Sequence, residues 1–142
     1  MVHALEKIYR LLKPDGILID IHPPPEPSSI DVRVAGRTHA AGWLHETDDY
    51  GDYEAADEAL AAIAARGLFA IERQGIFSFL TYVDTLAELR NYLTEEWENA
   101  SIDDVTAARV EELMSAPQRD KEIVLREQVR IARLRPVQAG QS

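Results

Sequence analysis

Apolar positions recur at helical spacing over Val2–Leu12, where Leu5, Ile8, Tyr9, Leu11 and Leu12 make one stripe and Glu6, Lys7 and Arg10 take the other side. The stretch Lys13-Pro14-Asp15-Gly16 then stops the helix. A residue before proline is pushed out of the helical region, and Pro-Asp-Gly is turn chemistry. Gly16–Ile21 follows as a short apolar strand with Ile17, Ile19 and Ile21 on one side and Leu18 and Asp20 on the other. So apolar a run suits an interior strand with layers on both faces. His22–Ser29 holds four prolines and reads as a stiff, extended surface connector.

Alternation of Ile30, Val32 and Val34 with Asp31 and Arg33 marks a half-buried strand; a turn at Gly36-Arg37-Thr38 and a return strand over His39–Glu46 complete a hairpin. The acidic loop Thr47–Asp52 offers Asp48, Asp49 and Asp52 as helix caps. Tyr53, Ala56, Leu60, Ile63 and Ala64 keep helical spacing up to Gly67, a C-terminal cap. Leu68–Val83 is strand-like, with a bulge or turn at Gly75. Asp84 or Thr85 caps a helix carrying Leu86, Leu89, Leu93 and Trp97; a further helix begins at Ser101, presents Ile102, Val105, Val110, Leu113 and Met114, and ends by Pro117. Lys121–Leu134 is a long one-sided strand, and Val137–Ser142 should fray. The pattern predicts one domain over residues 1–136.

Composition narrows the function. The chain has 142 residues, enough to bury a core without covalent staples, and no cysteine, which removes disulfides, thiolate catalysis and cysteine-ligated zinc. The absence of cysteine fits a cytoplasmic protein. A net charge of −10 argues against nucleic acid and anionic membrane surfaces as partners. No apolar run reaches the roughly 20 residues of a membrane span.

The familiar catalytic motifs are missing. The glycines are scattered singly, so no phosphate or dinucleotide cradle forms, and neither a Gly-x-Ser-x-Gly elbow nor a His-Glu-x-x-His zinc motif occurs. His39, Trp43 and His45 share strand parity, yet His39 and His45 stand roughly 20 Å apart along an extended strand and cannot share one metal. His45 with Glu46 and Asp48 is a weaker metal candidate. Asp20 and His22 end the apolar strand, where an Asp–His pair on one face could do acid/base work; the plainer alternative makes Asp20 a cap and His22 the start of the loop. Arg126, Arg130, Arg133 and Arg135 either meet an anion or face the acidic stretch Glu46–Glu58 or water. The candidate ligand-binding residues are therefore Asp20, His22, Trp43 and His45.

Leu12-Lys13-Pro14-Asp15-Gly16 resembles the leucine-lysine-proline-glycine-glycine segment that leads into a late strand of class I S-adenosylmethionine-dependent methyltransferases. The order of elements is similar to the C-terminal half of that family. The resemblance implies an α/β fold: a truncated, mixed sheet of about five strands, with an added hairpin and about four helices. Gly16–Ile21 would be the late parallel strand, Leu68–Val83 the next, and Lys121–Leu134 the antiparallel one. It also implies S-adenosylmethionine as the family cofactor. The residues that hold it belong to the half with no counterpart here, so none can be placed on this chain, and catalysis by the chain alone is not expected.

Without the earlier strands one edge of Gly16–Ile21 is open, which invites pairing. Either the hairpin Ile30–Glu46 covers it or a second copy does, and a homodimer or a separate partner protein is the expectation. Two alternatives remain: a small-molecule enzyme using Asp20, His22, Trp43 and His45, and a curved antiparallel sheet with helices on one face that binds a ligand.

Overall fold

The computed structural model of the protein describes residues 1–47 and 50–138. The described residues form an α/β fold with four helices and seven strands: α1 (Val2–Leu11), β1 (Leu18–His22), β2 (Ser29–Val34), β3 (Arg37–Trp43), β4 (His45–Glu46), α2 (Gly51–Ala65), β5 (Phe69–Val83), α3 (Leu86–Glu96), β6 (Ala100–Ser101), α4 (Asp104–Met114) and β7 (Lys121–Pro136). It divides into two compact units, each assembled from separate stretches of chain. The first comprises Met1–Pro25, Tyr50–Phe77 and Gln128–Ser142; the second comprises Glu26–Asp49 and Ser78–Glu127.

In the first unit, α1 stops where the sequence says it must. Leu12 leaves the helix in extended geometry and the Gly16 amide donates to the Lys13 carbonyl at 2.9 Å, closing the turn. Strand β1 pairs antiparallel with β7, Ile19 opposite Arg133 and Ile21 opposite Ile131. Helix α2 closes on Gly67, whose φ of +73° suits glycine, with the Leu68 amide returning to the Ile63 carbonyl at 3.1 Å. Leu5, Ala59, Leu60, Ile63, Phe69, Ala132 and Leu134 form the core. Tyr9 meets Phe69 edge-on with ring centroids 5.6 Å apart, and its hydroxyl donates to the Val137 carbonyl at 2.7 Å. Val137 also donates to Leu68, so the predicted fraying does not begin at this residue. Residues 139–142 lie outside the described residues.

The interior placement of Gly16–Ile21 is corrected. In the sheet order β1 stands at an end, with β7 on one edge, and among the described residues no strand takes the other. Ile17, Ile19 and Ile21 are 40%, 45% and 59% exposed, so only the Leu18, Asp20 and His22 face is covered. The parallel partner implied by the family resemblance is not among these residues: the pairing of β1 is antiparallel.

In the second unit, β2 pairs antiparallel with both β3 and the first half of β7. Among the described residues the hairpin therefore spends its pairing on β7 and itself. Ala35 and Gly36, both at positive φ, make its tight turn. The core is Ile30, Val32, Val34, Leu44, Leu89, Leu93, Val110, Ile123 and Leu125. Thr85 caps α3 by accepting from the Glu88 amide at 3.1 Å, one of the two predicted caps. Helix α4 is capped by Asp103, not Ser101, with the Thr106 amide donating at 2.7 Å. Its buried side is Thr106, Ala107 and Val110, whereas Val105, expected inside, is 80% exposed.

A β-bulge in the hairpin changes its faces. Ile30 lies opposite Gly42 but Asp31 lies opposite Ala40, so Ala41 is the extra residue. One inserted residue reverses the alternation. Gly42 also sits where a Cβ would come within 2.3 Å of the Thr106 hydroxyl oxygen. Gly42→Ala is expected to lower stability by about 1–2 kcal/mol through overpacking. Adding Thr106→Ala removes the hydroxyl and methyl contacts and should recover part of that loss in urea unfolding; a double variant no more stable than Gly42→Ala would refute the steric account.

Candidate functional site

The densest polar cluster belongs to the first unit. Strand alternation puts Asp20 and His22 on the same side of β1, and the register places Arg130 of β7 directly opposite His22. Helix α2 supplies Asp57. His22 Nδ1 lies 2.5 Å from Asp20 Oδ2, and His22 Nε2 lies 2.6 Å from Asp57 Oδ1. Arg130 Nη1 donates to the other oxygen of Asp57. The His22 and Asp20 side chains are nearly buried, while Asp57 and Arg130 are about one-third exposed.

An ionised carboxylate only accepts hydrogen bonds. With one on each ring nitrogen, both nitrogens of His22 must donate, and the ring is an imidazolium. Burial works to lower the His22 pKa, but the hydrogen bonds to Asp57 and Asp20 outweigh it and hold the pKa above the ordinary value. Burial likewise works to raise Asp57, and its bonds to His22 and Arg130 prevail, so its pKa is lowered. Two cations and two anions leave the cluster neutral.

This arrangement ties β1, α2 and β7 together. It does not present a general base, because neither imidazole nitrogen has a free lone pair. Beside it lies a cavity of ≈ 290 Å³ lined by Asp20, His22, Asp57, Gln74, Arg130 and the apolar Leu60.

Of the four predicted site residues, Asp20 and His22 are brought together. Trp43 and His45 belong to the second unit. Trp43 is 60% exposed and lies outside the buried core. The bulge breaks the parity it was expected to share with His39: His39 opposes Val32, and Trp43 opposes Ser29. His45 lies on β4, pairs with Ser101 of β6, and its charge helps to lower the Asp103 pKa, after the amide and hydroxyl of Thr106. Asp48 and Asp49 lie outside the described residues, so the His45–Glu46–Asp48 metal candidate and the predicted caps fall there in part. Among the described residues no group of three or more histidine or acidic side chains is placed to hold a metal.

The four arginines find three carboxylate partners. Arg126 pairs with Asp31, Arg130 with Asp57, and Arg133 and Arg135 both with Glu72. Among the described residues only Arg130 thus meets the acidic stretch Glu46–Glu58. Asp57 is the site residue that pattern reading passed over, although the acidic opening of its helix and the basic stretch of β7 were the signals that join it to Arg130.

No helix among the described residues is long and apolar enough to cross a membrane. Comparison with known proteins brings no match, whether with family models, curated proteins or solved structures.

Proposed function

We propose that this chain is a methyltransferase-derived domain without its own S-adenosylmethionine site, acting as a non-catalytic assembly module that pairs with a second copy through β1. The observation that carries the reading is the open edge of β1 with its exposed isoleucines. Ile17, Ile19 and Ile21 are symmetric about Ile19. In an antiparallel pairing of two copies with Ile19 on the two-fold axis, Ile17 of one copy meets Ile21 of the other, and an isologous contact of this kind closes at two chains. The strand carries one acidic and one cationic side chain, Asp20 and His22, so the edge escapes the like-charge repulsion that a net charge of −10 imposes elsewhere. The antiparallel pairing of β1 with β7, and the pairing of β7 with β5, are compatible with the closing strands of the methyltransferase sheet. The engagement of both His22 nitrogens favours assembly over acid/base catalysis.

Light scattering tests the reading. The wild type is expected at twice the chain mass of 15.9 kDa, and Ile19→Lys, which places a charge on the edge, is expected at one chain mass. A wild type that stays monomeric at high concentration ends the proposal. Calorimetric titration with S-adenosylmethionine should give no binding heat; micromolar affinity would show that a cofactor site exists after all.

A further inference from the structure

A second feature of the first unit points to a small ligand and does not depend on the assembly reading. The face of β1 and β7 opposite the His22 cluster carries Ile19 beside Arg133 and Ile21 beside Ile131. Where this face meets β5 there is a cleft of ≈ 380 Å³, lined by Ile19, Ile76, Phe77 and Ile131 together with Arg73 and Arg133. That volume lies within the range of small-molecule sites, roughly 300–1,000 Å³, and the mixture of apolar walls with a few polar groups is typical of them.

The charge is the informative part. No acidic side chain lines the cleft, in a chain of net charge −10. The carboxylate nearest along β5, Glu72, is taken up by Arg133 and Arg135 together, Arg133 using its Nε at 3.2 Å. Among the described residues Arg73 has no ion pair. Three guanidinium groups thus stand against one carboxylate. Arg73 is free to bind an anion, and Arg133 approaches Glu72 through its Nε. A guanidinium holds a carboxylate through two parallel N–H bonds, which suits it to this recognition better than a point charge. Ile19, Ile76, Phe77 and Ile131 supply an apolar wall beside that charge.

We propose that this cleft binds a small amphipathic carboxylate, its head on Arg73 and Arg133 and its hydrocarbon body along Ile19, Phe77 and Ile131. In-plane pairing at the edge of β1 leaves this face open, so the site and the dimer can coexist.

Decanoate, below its micelle concentration, is the probe, and uncharged decanamide is its control. Titration calorimetry should give saturable binding of one decanoate per chain, with decanamide at least about tenfold weaker because it forfeits the charge-assisted bonds. Arg73→Ala should weaken decanoate about tenfold while leaving decanamide unchanged, with circular dichroism confirming the fold; Arg133→Ala should act in the same direction. Absent or non-saturable binding, equal affinity for the two probes, or indifference to both arginine variants would each overturn the proposal. So would concentration-dependent protection of Arg73–Phe77 from hydrogen exchange without ligand, since that result would give the face to a second copy.

Discussion

His22→Ala is expected to destabilise the protein by about 2–3 kcal/mol, read as a lower urea midpoint with an unchanged slope. Removing one partner of a buried ion pair costs about 3–5 kcal/mol because the other charge stays behind. The figure is reduced here because Asp57 keeps Arg130 and both are partly open to water. Asp20 is the group left stranded: its side chain is nearly buried and His22 is its hydrogen-bond partner. Removing Asp20 as well should therefore cost less than the two single losses added together. A loss below about 0.5 kcal/mol, as for an exposed pair, would show that the cluster does not hold the unit together.

The same residue sets the pH response. The folded pKa of His22 is raised above its ordinary value of 6.5. Folding therefore gains stability from it in full below that value, and the gain disappears as pH rises through the folded pKa. Asp57 acts in the opposite sense. Its folded pKa is lowered from 3.8, so its contribution is complete above that value and is lost as pH falls through the folded pKa. Both contributions are whole between 3.8 and 6.5. Wild-type stability should fall as pH rises above 6.5, and a His22→Gln variant should lack that slope.

Phe69→Ala is expected to be the most damaging single change in the first unit, costing about 3–5 kcal/mol. At this chain length that is a melting-temperature drop of roughly 10–15 °C. Phe69 is 1% exposed and is among the largest fully buried side chains. It packs with Leu60, Ile63 and Leu134, and Tyr9 adds an edge-on ring contact. Truncation removes both the apolar burial and the contacts of the residues that line the hole. Phe79→Ala on the same strand, where the ring is 55% exposed, should cost under about 1 kcal/mol. Equal losses at the two positions would contradict the assignment of the core.

The contrast between these phenylalanines shows what the sequence made legible. Period and punctuation placed the elements well: Lys13-Pro14-Asp15-Gly16 ended α1, Gly67 ended α2, and the alternation from Lys121 ran into a strand of 16 residues. Periodicity says which residues share a face, but not whether anything covers that face. Hence Ile17, Ile19 and Ile21 read as interior, and Val105 read as packed, when all four are exposed. The hairpin showed the second limit. One extra residue at Ala41 separated His39 from Trp43, and the only warning was Gly42 beside it. In the polar cluster, the pair Asp20 and His22 was readable because both lie on one short strand. Asp57 lies 35 residues further on, and only the folding of α2 against β1 and β7 brings it to the ring.

The Tyr9 hydroxyl reaches the carbonyl of Val137 across 128 positions of sequence. During synthesis the first unit therefore cannot close when its early residues emerge. Helix α1 and strand β1 must wait, with their apolar faces unmatched, until the second half of β7 has been made. Structures rich in such distant contacts fold slowly, and waiting apolar strands are prone to misassembly. The open isoleucine edge of β1 is thus exposed at the stage when the chain is least able to protect it.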